Sequence, residues 1–269
     1  MERLNESRIG ALITDTYAVR ASTGVSSTLH AQHGVAILIG LDADVTVMEP
    51  GRGTVSGRVV VVPPHVRHAT SSPGPTLALL HDPLAAPHIA DYSRLRGGAF
   101  VLESHLARRL EDASAAHGAW LTRAEVLDGL ARESATWLAR ELPRRRPDIR
   151  VARVLEALKD PSADPRLVLA RTGLSRAHLR ALFVREVGMP MRTYQLWRRL
   201  LVALGAFARL DATSAAHFAG FADLAHFSRT CRRMLGYSPT LLRGQLLREE
   251  GARLNSRGAP RPGDARPAR

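Results

Sequence analysis

The stretch GFADLAHFSRTCRRMLGYSP, residues 220–239, decides how the C-terminal part of the chain is read. Gly220 permits a tight turn, and Asp223 is a residue type that caps a helix start. The helix predicted from it runs to about Leu235, where Gly236 and then Pro239 stop it. On that helix Phe227 falls on the inner face. Ala225, His226, Ser228, Arg229 and Arg232 fall on the outer one. A short Ala-rich segment from Thr213 precedes the turn.

The same design occurs 47 residues earlier, around Gly173. Asp164-Pro165 is a helix start, with Asp as cap and Pro at the first helical position. Leu167, Val168 and Leu169 follow, then Gly173-Leu174-Ser175, in which Ser175 caps the next helix. There Leu179, Leu182 and Phe183 share one face, and Arg176, Ala177, Arg180 and Ala181 another. A short helix, a glycine turn and a helix with one apolar and one arginine-bearing face is the geometry that enters a major groove. Arginine reads guanine there, and a small Ala meets a thymine methyl. Residues 191–210, with Leu196, Leu200, Leu204 and Phe207, read as one long helix joining the two units. Arg198 and Arg199 on it are phosphate-contact candidates. His226 suits packing or phosphate contact, and Arg229 suits base reading or a supporting ion pair. Cys231 reads as a core residue and, as the one cysteine, excludes an internal disulfide framework.

These residues resemble the AraC/XylS transcription regulators. The resemblance rests on GLSRAHLRALFVREVG, on Tyr194 with Arg198-Arg199, and on GFADLAHFSRTCRRMLGYSPTLLR, and it covers about residues 150–244. Ala215, Cys231 and Leu242 depart from the usual pattern, each smaller than or unlike the common residue. The resemblance implies a C-terminal all-α domain with two helix-turn-helix units on double-stranded DNA. It also implies an N-terminal sensing domain for a small organic effector, commonly a homodimer, and RNA polymerase as a partner if the chain activates.

Charge follows the same division. Residues 1–143 hold 13 Arg/Lys against 15 Asp/Glu, whereas residues 144–248 hold 20 against 7. A GC-rich genome accounts for arginine over lysine, but not for this sorting, which favours a polyanion as partner of the second half.

Residues 12–82 read as strands. The runs 35–41 (VAILIGL), 45–48 and 59–62 are apolar or β-branched and separated by Gly/Pro/Asp turns. GRVVVVPPHVRH, residues 57–68, resembles the second half of the cupin pattern, with His65 where a glycine is usual. His30, His33, His65, His68 and His81 put five histidines in 52 positions. Imidazoles bind transition metals, so a metal-dependent cupin enzyme fused to a DNA-binding domain is the alternative reading. The spacing of His30 and His33 does not match the metal-binding pattern, and neither metal nor cofactor is expected. His33, His65, Arg67 and His68 are the candidates for lining an effector pocket.

The expected fold class is α+β: a cupin-like antiparallel β barrel, a helical connector, and an all-α domain with two helix-turn-helix units. The expected domains are 1–100, 101–146, 147–248 and a disordered tail, 249–269. The connector offers Leu106 and Leu110, then Val126, Leu127, Leu130 and Leu138, as stripes that either pair two chains or cover the chain's own barrel. The N-terminal residues lack a secretory signal pattern, and no run approaches membrane-spanning length, so a cytoplasmic binding protein without catalysis is expected.

Overall fold

The computed structural model describes residues 10–14, 16–82, 89–90, 97–103, 107–108, 112, 123–142, 144–160, 164–207 and 209–243. The predicted tail, and Leu106 and Leu110 of the connector, lie outside them.

The N-terminal part is a cupin-like pair of antiparallel sheets facing each other. The strands are β1 (Ala11–Ile13), β2 (Tyr17–Ser22), β3 (Val25–Ser26), β4 (Val35–Gly40), β5 (Val45–Glu49), β6 (Gly53–Gly57), β7 (Val59–Val62), β8 (Ala69–Ser72) and β9 (Thr76–His81). Short pieces β10 (Ile89–Ala90), β11 (Phe100–Val101) and β12 (Arg144–Arg145) follow. A six-stranded sheet runs β1-β2-β9-β4-β7-β11 and a four-stranded sheet runs β3-β8-β5-β6.

Strand β4 is buried at every position, which explains its unbroken apolar run. Val35, Ile37 and Ile39 point into a core shared with helix α1 (Ala124–Glu141), through Leu127, Leu130, Ala131 and Leu138. Ala36 and Leu38 point the other way, toward Val45 and Val47 of the second sheet. The connector stripe on α1 therefore covers the chain's own barrel, the second of the two expectations for it. Asp128 of the same helix accepts the Tyr17 hydroxyl's hydrogen bond and pairs with Arg132 at 2.7 Å. The segment just after α1 contributes β12, which pairs with β10.

The C-terminal part is helical: α2 (Ile149–Ala157), α3 (Pro165–Ala170), α4 (Arg176–Val187), α5 (Met191–Phe207), α6 (Ala212–Phe218), α7 (Leu224–Leu235) and α8 (Pro239–Arg243). One core gathers Val151, Val154, Leu182, Phe183 and Tyr194; a second gathers Trp197, Leu200, Leu204, Phe221, Phe227 and Met234. The second core also takes Ile13 and Leu80 from the barrel. Among the described residues, no helix is long and apolar enough to cross a membrane.

Candidate nucleic-acid interface and the cavity behind it

Each unit is built by local caps. In the first, the Asp164 carboxylate accepts the Arg166 N–H at 2.8 Å and Ser175 Oγ accepts the His178 N–H at 3.2 Å. Gly173 turns the chain at φ 67° between α3 and α4. In the second, Asp211 accepts the Thr213 and Ser214 N–H groups at 3.0 Å, Gly220 turns at φ 78°, and Asp223 accepts the His226 N–H at 2.5 Å. Helices α4 and α7 end on Gly188 and Gly236, both left-handed.

The caps set which face each helix turns outward. Leu179, Leu182 and Phe183 are buried, leaving Arg176, Ala177, Arg180 and Ala181 exposed. Phe227, Cys231 and Met234 are buried, leaving Ala225, Arg229 and Arg232 exposed. Ser228 is half-buried, and the half-buried His226 ring meets Phe221 edge-on at 5.1 Å. Burial pushes the Cys231 thiol up to about 12, as befits a core residue.

Arg198 corrects an expectation. It is 6% exposed and pairs with Asp82, itself 5% exposed, at 3.7 Å. It cannot reach a phosphate, because helix α5 turns it toward the barrel. Arg199 is half-buried on the same helix.

This ion pair belongs to a seam that sequence reasoning missed. The Thr28 N–H and hydroxyl both donate to the Gly236 carbonyl, at 3.2 and 3.1 Å, and the Ala31 N–H donates to the Arg233 carbonyl at 3.4 Å. Carbonyls left open at the end of α7 are thus satisfied by the barrel. The Arg20 guanidinium sits 4.5 Å from the Tyr237 ring centre, and the His33 ring meets Trp197 edge-on at 5.7 Å.

The histidines line this seam in pairs. His33 Nδ1 and His65 Nδ1 are 3.0 Å apart, so one carries the shared proton. His65 stands at φ 65°, taking the left-handed conformation for which the cupin pattern uses glycine. The His30 and His68 rings meet at a tilt with centres 4.3 Å apart, each donating its Nδ1–H to a backbone carbonyl, of Thr28 and Val66. Burial, then the charge of the neighbouring histidine, pushes His30 and His33 down to about 4. Among the described residues no three His, Cys, Asp or Glu side chains converge as metal ligands would. His81 is separate: Ser134 Oγ donates to the Ala131 carbonyl and so accepts from His81 Nε2–H at 2.7 Å.

Between the sheets lies a cavity of about 120 Å³, lined by Ala36, Leu38, Ala78 and Leu80 and polar at His30, Gln32 and His68. Its far wall comes from the helices: Leu201 and Leu204 of α5, Leu235 of α7, and Tyr237. Of the four pocket candidates, His68 is among the lining residues. His33, His65 and Arg67 are not: the first two pair with each other, and Arg67 is exposed.

A family model described as "Helix-turn-helix domain" matches residues 168–245, a span that contains both glycine turns and both outward-facing helices. This region is an AraC-type helix-turn-helix domain. Such a domain marks a DNA-binding transcription regulator. None of the curated proteins matches the chain. Among solved structures, a ToxT variant without ligand from Vibrio cholerae aligns at TM-score 0.57 and 10% identity, covering 87% of this chain and 99% of that one. Wild-type ToxT bound to an unsaturated fatty acid aligns at 0.52 and 10% identity, covering 86% and 95%. ToxT bound to (E)-4-(8-methylnaphthalen-1-yl)but-3-enoic acid aligns at 0.50 and 9% identity, covering 84% and 98%. The likeness is one of fold, and it spans the barrel as well as the AraC-type domain.

Proposed function

We propose that the chain binds specific duplex DNA sequences through both units and that a compact apolar molecule in the cavity adjusts this binding. The observation that carries the reading is the shared wall: the cavity is lined by barrel strands on one side and by α5 and α7 on the other. An occupant touching both differs in affinity between states in which the two parts sit differently, and only such a difference shifts a conformational equilibrium. Its volume of about 120 Å³ is near the ~150 Å³ that admits benzene and below the ~300 Å³ at which drug-sized sites begin. The apolar acids bound by ToxT support an occupant of apolar character. In this reading Arg176, Ala177, Arg180 and Ala181, with Ala225, His226, Ser228, Arg229 and Arg232, face the duplex. The chain acts as a cytoplasmic binding protein.

Selection from a random duplex library, followed by titration of the enriched site with and without indole, benzoate and naphthalene, tests both parts. Enrichment of one sequence is expected, with at least one probe changing its affinity threefold or more. Failure to enrich any sequence refutes specific DNA binding. Enrichment with no response to any probe refutes the effector part alone.

A further inference from the structure

On the flank of the first unit, helices α3, α4 and α5 enclose an open cleft of about 650 Å³. Four guanidinium-bearing residues line it: Arg166 from α3, Arg176 and Arg180 from α4, and Arg192 from α5. All four are exposed, and among the described residues none of them is held in an ion pair. The acid at its edge, Asp164, has one carboxylate oxygen committed to capping α3. Glu186, also on α4, is drawn away by Arg145 at 2.7 Å and Arg185 at 3.4 Å. Arg192 lies in the first turn of α5, a 17-residue helix whose positive end therefore adds to the same field.

We propose that Arg166 and Arg192 form a phosphate clamp that seats one strand of the duplex beside α4, which leaves Arg176 and Arg180 for base edges. The proposal rests on the DNA-binding reading above. Its chemistry is that of guanidinium and phosphodiester. A planar fork of N–H donors fits two phosphate oxygens, and a single negative charge per nucleotide matches cations placed on both sides of a recognition helix. Backbone contacts of this kind fix register without reading sequence. The flanking placement gives the clamp that role, because Arg166 and Arg192 project from the first turns of helices other than the one that enters the groove. Neither residue stands out in the sequence: one follows a proline and the other opens a long apolar helix.

The test is fluorescence anisotropy of the full chain on a 30-base-pair duplex, selected and scrambled, over a series of salt concentrations. Arg166→Ala and Arg192→Ala are each expected to lower the slope of log affinity against log salt by about 1. The loss should be similar on both duplexes. Arg192→Lys, which keeps the charge, should retain most of the slope. Circular dichroism checks that these surface variants stay folded. Unchanged slopes, or a loss confined to the selected duplex, would overturn the clamp while leaving DNA binding intact. A wild-type chain that binds neither duplex overturns the DNA-binding reading itself and the clamp with it.

Discussion

A guanidinium 6% exposed needs an anion, and Arg198 has one in Asp82 at 3.7 Å. Removing one member of a buried pair leaves the other charge desolvated, at a cost of about 3 kcal/mol or more. Asp82→Ala is therefore expected to cost that much in urea unfolding, and Asp82→Ala combined with Arg198→Met to recover most of it. Additive single-variant losses would show that the pair is not coupled. The histidines supply a second prediction. His30, His33 and His81 are held near 4, against about 6.5 in an unfolded chain. Their depressed values add stability that is fully present only above pH 6.5 and is lost as pH falls toward 4. At pH 5 each should cost about 2 kcal/mol relative to pH 7.5. Thermal melts across this window should fall steeply for the wild type and less so for His81→Gln; parallel curves would remove His81 as a contributor. At this scale the sequence was legible where a role is local. Phe227 inward and Arg180 outward follow from helical spacing alone. Arg198 was not legible, because its partner comes from the end of a strand in another part of the chain.

Helices α4 and α7 are matched experiments in how a helix ends. Each stops on a left-handed glycine, Gly188 at φ 81° and Gly236 at φ 78°. A Cβ at Gly188 would meet nothing, whereas one at Gly236 would lie 2.7 Å from His30 Nδ1 and 2.8 Å from Ser27 Cβ. Gly188→Ala should cost only the backbone strain, about 1 kcal/mol. Gly236→Ala should cost about 1–3 kcal/mol more through overpacking at the seam. Urea titrations of the two variants decide it, and equal losses would mean that the barrel yields at Ser27 without resistance. Elements were the most readable level of this chain. Caps such as Asp164, Ser175 and Asp223 and stops such as Gly236 act within one turn of themselves, so their meaning survives without knowledge of the fold. What the pattern could not supply was the second use of Gly236, whose carbonyl serves the barrel as an acceptor.

In the whole molecule the barrel owes its outer layer to α1, where Leu127 is fully buried and Leu130 nearly so. Leu127→Glu is expected to unfold the barrel, since an unpaired buried carboxylate has no stabilising partner there. A variant that stays folded and changes only its sedimentation would return the leucine to a pairing role between chains. The division into a neutral half and a basic half was legible from charge, but the direction in which α1 turns its stripe was not. Two apolar surfaces could have taken it, and periodicity does not choose between them. The shared core of Trp197, Leu204, Ile13 and Leu80 has a consequence for descent. A hybrid gene joining residues 147–248 to a foreign N-terminal part would inherit a bare indole face and a guanidinium whose counterion stayed behind. The recombinants that survive should be those whose crossover carries the barrel along, so that this barrel and this helical part pass on as one heritable unit.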